Sequence, residues 1–175
     1  KMIEQILTRK NLLQAMRKVQ KNHGSAGVDD MPVTKLSELL SIDKGELTAK
    51  VRSGKYLPQP ILGVEIPKGK GKTRKLGIPS IKDRIVQGAI KLILEPVFEA
   101  DFQPGSFGYR PKRTAHQAIE QVANAIVQEK TRVIDIDLKS YFDTIRHDIL
   151  LSKIAQRIRD DKVLHLLKLI IKANG

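Results

Sequence analysis

The chain has 175 residues, 41% of them hydrophobic, no cysteine and a formal net charge of +13. That is about one domain, or one and a piece of another, with enough apolar content for a core. Missing cysteine excludes disulfides and thiolate metal sites and fits a reducing compartment. No apolar run approaches the roughly 20 residues of a membrane span, and no signal-peptide pattern opens the sequence. Because it begins at Lys1 and stops at Ala173-Asn174-Gly175 behind an apolar helix, a piece of a longer protein is expected.

The charge is uneven. Between Lys50 and Lys91 eleven Lys/Arg face two acids, Glu65 and Asp83, whereas both flanks are nearly balanced. Concentrated positive charge attracts polyphosphate backbones and releases their counterions. A merely soluble basic surface is the plain alternative. A membrane-surface helix fits less well, because the basic residues sit among Gly and Pro.

In chain order, residues 2–8 and 11–22 read as helices, the second with Asn11 as N-cap and an apolar face of Leu12, Leu13, Met16 and Val19. HGSAGVDDM (23–31) reads as an ordered loop, and a helix over roughly 34–53 ends at Gly54. In 56–80, Pro58 and Pro60 enforce extended backbone. Val64 and Ile66, then Arg74, Leu76 and Ile78, alternate around a GKGK turn at 69–72, which predicts a β-hairpin carrying Lys68, Lys70, Lys72, Arg74 and Lys75.

A core helix follows over about 82–99. After an irregular aromatic and basic segment (101–113), Thr114 caps a helix to about Glu129 with Ile119, Val122, Ile126 and Val127 on a buried side. Residues 132–138 read as a strand, and helices over about 146–158 and 160–173 close the chain. The order is α+β.

The strand carries the chemistry. In VIDIDLKSYFDTI (133–145), Asp135 and Asp137 share one face and Ile134, Ile136 and Leu138 the other. Buried carboxylates cost several kcal/mol, on the order of a lost ion pair, unless something cationic meets them. Hard oxygen donors at a strand end suit Mg²⁺, which takes one or two carboxylates and completes its shell with water and phosphate oxygens. Alone, D-x-D is weak evidence; solvated acids or salt bridges to Arg132 or Lys139 would explain it too.

Taken together these stretches resemble the reverse transcriptases encoded by bacterial group II introns, over nearly the whole chain. GSAGVD (24–29) is similar to that family's N-terminal loop, and VEIPKGKGKTRKLGIPSIKDRIVQ (64–87) to its fingers motif. SFGYRPKRTAHQAI (106–119) is similar to the next motif, and VIDIDLKSYFDTIRHDIL (133–150) to the first palm motif. The resemblance implies the fingers and partial palm of a right-hand polymerase. Residues 1–31 would be a helical extension and loop, 32–113 the fingers, and 114–175 the start of the palm.

It also implies roles. Asp137 would be a catalytic Mg²⁺ ligand, with the Leu138 carbonyl as a second contact. Phe142 would be the steric gate that favours dNTP over NTP, unless it is an ordinary core phenylalanine. Lys68 and Arg74 would hold the triphosphate, unless they are solvated hairpin charges. Lys70, Lys72 and Lys75 would face nucleic acid, and Arg84, Tyr109, Arg110 and Arg113 would contact the template or line its channel. For Tyr109 and Arg110, packing of a loop is an equal alternative. His116 and His147 read as helix histidines, and the loop at 23–31 would lie beside the template or simply shape a turn.

The implied partners are an RNA template, a DNA primer, dNTP and group II intron RNA, in a bacterial cytoplasm and without a membrane. A homodimer would follow if the apolar 163–171 helix were exposed. The family's second palm motif, an aromatic–Ala–Asp–Asp hairpin, does not occur in these residues. The chain alone is therefore expected to bind RNA weakly and to lack polymerase activity. The maturase role of the intron family, a repair, defence- or CRISPR-associated relative, and a non-catalytic RNA-binding scaffold remain separate readings.

Overall fold

A computed structural model describes residues 1–36, 38, 45–69 and 71–173. The elements are α1 (Met2–Ile6), α2 (Arg9–Lys21), a 3₁₀ turn (Val33–Lys35), α3 (Glu46–Ser53), β1 (Leu62–Gly69), β2 (Lys72–Ile78) and α4 (Ile81–Glu99). They continue with α5 (Ala115–Val127), α6 (Tyr141–Thr144), α7 (His147–Arg157) and α8 (Asp161–Ala173). The order confirms the α+β reading. Lys70 and part of the helix expected over 34–53 lie outside the described residues. The chain divides into two compact units, one of Lys1–Glu95 with His147–Gly175, the other of Pro96–Arg146.

The first unit holds the hydrophobic core. Ile81, Ile85, Val86, Ala89, Ile90 and Leu94 of α4 are buried, as the apolar face of the sequence requires. Ile3 and Ile6 of α1, Ala15 and Val19 of α2, Val51 of α3 and Val163 and Leu166 of α8 are also buried in this unit. Each such aliphatic side chain contributes about 1.5–3 kcal/mol by leaving water. In the apolar helix at 163–171, Val163, Leu166 and Ile170 face inward, while Leu164, Leu167, Leu169 and Ile171 are half-buried.

Polar groups fasten the helices to one another. Thr8, not Asn11, caps α2, accepting from the Asn11 N–H at 3.4 Å. Asn11 is instead buried, its Nδ2 donating at 2.9 Å to the carbonyls of Ile6 and Ala89 and so tying α1, α2 and α4 together. A capping pattern in sequence does not reveal that the third helical residue meets a distant carbonyl. Asp160 does a similar job across 157 positions. Its Oδ2 accepts from the Ile3 N–H at 3.0 Å, while Oδ1 accepts from Lys162 and Val163 at the start of α8. One carboxylate thus caps two helix N-termini.

The hairpin is antiparallel, with Val64 opposite Leu76, Glu65 opposite Lys75 and Ile66 opposite Arg74, and an irregularity between Pro67 and Gly69. Gly54, at φ 75°, ends α3 as expected, because the left-handed conformation there carries no Cβ penalty.

Two predictions follow from these ties. Asn11→Ala removes both buried side-chain hydrogen bonds and should lower stability by about 1–3 kcal/mol, read as a reduced urea midpoint. The Asp160 carboxyl is raised by burial, but the N–H groups of Ile3, Val163, Lys162 and Met2 outweigh this and hold it below its ordinary value of 3.8. A depressed folded value stabilises above the ordinary one and ceases to do so as pH falls through the folded one. The stability advantage of the parent over Asp160→Asn should accordingly be present at about pH 6 and shrink below about pH 4 in paired urea titrations.

Candidate nucleic-acid interface

In the first unit the basic hairpin projects its charges from a backbone that is largely exposed. Residues opposite each other or two apart share a face, so Lys72 and Arg74 lie with Val64, Ile66 and Leu76. Lys75 lies on the other face, opposite Glu65. Lys68 sits at the register irregularity, free of the regular ladder. Among the described residues none of these four cations has a carboxylate partner within salt-bridge distance, so their charge is open to an external anion.

The base of the hairpin is built on Asp83, which sequence reading counted only as a local acid. Asp83 is 3% exposed and accepts from the Ser80 hydroxyl at 2.8 Å, the Gln59 N–H at 3.0 Å and the Tyr56 hydroxyl. Ser80 in turn accepts from the Asp83 N–H at 3.2 Å, closing a reciprocal cap at the start of α4. Burial, and then the hydrogen bond to Asp83, push the Tyr56 phenol well above its usual range, so it stays a donor. The signal was present as Ser80-Ile81-Lys82-Asp83, an N-cap spacing with Asp in the place of Glu. What could not be read is that Tyr56 and Gln59 converge on the same carboxylate. Arg84, expected at the template, donates from Nε to the Pro79 carbonyl at 3.0 Å and from Nη2 to the Ser25 carbonyl.

In the second unit Arg110 organises the loop after α4. It pairs with Glu99 at 2.7 Å, donates from Nη1 to the carbonyls of Gln103 (2.7 Å) and Ser106 (2.8 Å), and stacks over Phe102 at 5.1 Å. Its side chain is 6% exposed, spent on the loop's own groups. The guanidinium hydrogen bond holds the Glu99 carboxyl below its usual range. Tyr109 beside it has φ 56° and a fully exposed ring, and Arg113 lies over Phe107 at 5.5 Å. Thr114 caps α5, as expected, and the structure adds a reciprocal box with Gln117.

Two expectations fail here. The apolar side of α5 is exposed: Ile119, Val122, Ile126 and Val127 all face solvent. The strand expected over 132–138 is not formed, and Val133, Ile134, Ile136 and Leu138 are exposed. A strand exists only as a ladder with a neighbour, and no described segment supplies the facing N–H and C=O groups.

Asp137 is exposed, its Oδ1 accepting from the Leu138 N–H at 2.9 Å. Phe142 is exposed too, edge-to-face with Tyr141 at 5.5 Å between ring centroids, and so is not a core phenylalanine. Among the described residues no three His, Asp or Glu side chains converge as a metal shell. Asp137 and the Leu138 carbonyl are hard oxygen donors of the kind Mg²⁺ prefers, but two donors do not make a site. No helix among the described residues is long and apolar enough to cross a membrane.

Residues 66–174 match the model of the reverse transcriptase (RNA-dependent DNA polymerase) family. Protein YkfC of Escherichia coli K12 is 42% identical over 151 residues, 84% of this chain and 40% of that protein. The group II intron-encoded protein LtrA of Lactococcus lactis is 33% identical over 129 residues, 73% of this chain and 21% of that protein. Nuclear intron maturase 2 of Arabidopsis thaliana is 34% identical over 87 residues, half of this chain and 12% of that protein. The chain therefore spans less than half the length of these relatives. With a family match covering both Arg74 and Asp137, the chain belongs to the reverse transcriptase family, as a reverse-transcriptase/maturase domain related to the group II intron-encoded enzymes.

Proposed function

We propose that this chain is the fingers and first palm segment of an RNA-directed DNA polymerase that copies RNA into cDNA and, in the whole protein, assists splicing of a group II intron RNA. The observation that carries the reading is the family match over residues 66–174, within which lie the open cations of β2 and the acidic segment at Asp137. Lys68 and Arg74 would hold the dNTP triphosphate, Lys as a point charge and Arg as a planar fork. Lys72 and Lys75 would track the nucleic-acid backbone, and Tyr109 would offer its exposed ring for base stacking. Phe142 would crowd a 2′-hydroxyl and so select deoxynucleotides.

Asp137 and the Leu138 carbonyl would contribute to a Mg²⁺ site whose remaining ligands come from outside the described residues. Bound there, the ion would neutralise charge on the triphosphate and the attacking 3′-oxygen. The 175-residue chain alone is expected to incorporate no dNTP.

Primer extension on an RNA template, by the whole protein beside its Asp137→Ala variant, tests the catalytic role. Loss of a ligand's outer partner costs about 10–100-fold, so removing Asp137 itself should cost at least about 100-fold in extension while RNA affinity holds. A parent that grips RNA but makes no cDNA would instead favour the scaffold reading. For the hairpin, log affinity for single-stranded RNA should fall with log salt, and replacing Lys72 and Lys75 by alanine should reduce that slope by about 1.4. An unchanged slope would remove the hairpin as the docking surface.

A further inference from the structure

Arg84 follows the buried Asp83 in the first turn of α4, and its guanidinium is spent on backbone. It donates to the Pro79 carbonyl at 3.0 Å and to the Ser25 carbonyl, 59 positions away. The loop it reaches has no space to retreat or to grow. A Cβ on Gly27 would stand 2.8 Å from the N and Cα of Ser80 and 2.9 Å from the Pro79 carbonyl carbon. A Cβ on Gly24 would stand 2.7 Å from Arg84 Nη1. The first of these clashes is with backbone, so it cannot be relieved by a rotamer change. Residues 24–27 are thus pressed onto the 79–84 stretch, where β2 leaves the hairpin.

We propose that Arg84 is a positioning residue that locks the 23–31 loop beside the base of the basic hairpin, so that RNA meets loop and hairpin as one preformed surface, and that Arg84 does not itself contact phosphate. That RNA is the ligand rests on the function proposed above; the lock itself rests only on geometry. A preformed surface binds more tightly because the loop's ordering cost has already been met in the free protein. The lock needs Arg rather than Lys. Two carbonyls from separate segments are reached by Nε and Nη2 of one rigid planar fork, whereas a lysine ends in one point charge.

The experiment compares Arg84→Lys, Arg84→Gln and Gly27→Ala with the parent, using a single-stranded RNA oligonucleotide as probe and ¹⁵N relaxation of this chain. A lock predicts that all three variants bind RNA about tenfold more weakly with the salt slope unchanged, so that the conserved charge of Arg84→Lys gives no rescue. Order parameters at Gly24, Ser25, Ala26 and Gly27 should fall from about 0.85 to below about 0.6. Gly27→Ala leaves the Arg84 side chain itself unaltered, so it tests loop seating even if an Arg84 variant misfolds. The proposal is overturned if Arg84→Lys binds like the parent while Arg84→Gln loses about 0.7 in salt slope, the signature of a phosphate contact. It is equally overturned if the order parameters stay put in all three. Should the whole protein make no cDNA while the variants behave as expected, the lock stands and the polymerase reading fails.

Discussion

The carboxylate of Asp83 is the constraint on which the basic hairpin depends. A charge taken this far from water is tolerated only when its lone pairs are met, and three donors from two stretches meet them: Ser80 from one, Gln59 and Tyr56 from the other. Those stretches are the two roots of the hairpin, the one with Ser80 running into the first turn of α4. Strands β1 and β2 are mostly exposed and form a two-stranded sheet, which is marginal in water on its own. The hairpin's orientation therefore comes from its base. Tyr56 stays protonated because burial and the neighbouring carboxylate both oppose its ionisation, so the donor is permanent over the working pH range.

Around that base, polar ties substitute for area. Asn11 joins three helices and Asp160 caps two, each from a position where an apolar residue would leave backbone groups without partners. The consequence for function is placement. The N-terminal helices are fastened to α4 and α8 to α1, and α4 carries at its first turn the residues that hold the 56–59 segment and the 24–27 loop. Charge that would meet a nucleic-acid backbone is thus mounted on a packed helical platform instead of on free chain.

The second unit is organised differently. Arg110 holds its loop through Glu99, two carbonyls and Phe102, but no large apolar side chain of Pro96–Arg146 is buried among the described residues. An apolar helix face on α5 and the Val133–Leu138 run remain in solvent. The helical period of the first was read correctly, the strand period of the second was not realised, and neither has a partner among the described segments. The same lesson applies to Asp137: alternation put it on a face with Asp135, yet a face has meaning only once a neighbouring strand exists.

Much of the fold was legible in the chain itself. Hydrophobic periodicity located α2, α4, α5 and α8, prolines and glycines located the hairpin, Thr114-x-x-Gln117 announced its cap, and Gly54 the end of α3. Those features depend on contacts within a few residues, which local order determines. The family was legible for a related reason, since its motifs are contiguous stretches. Tertiary structure alone decided which polar side chains serve the scaffold. Asn11 left the cap for the carbonyls of Ile6 and Ala89, and Arg84 and Arg110 each reach two backbone carbonyls. Asp83, a seemingly incidental acid in a basic tract, became the anchor of that tract. Partners 24 to 157 positions apart meet only when the chain has closed, and no periodicity encodes which of several cations will find a carbonyl waiting or which acid an N–H.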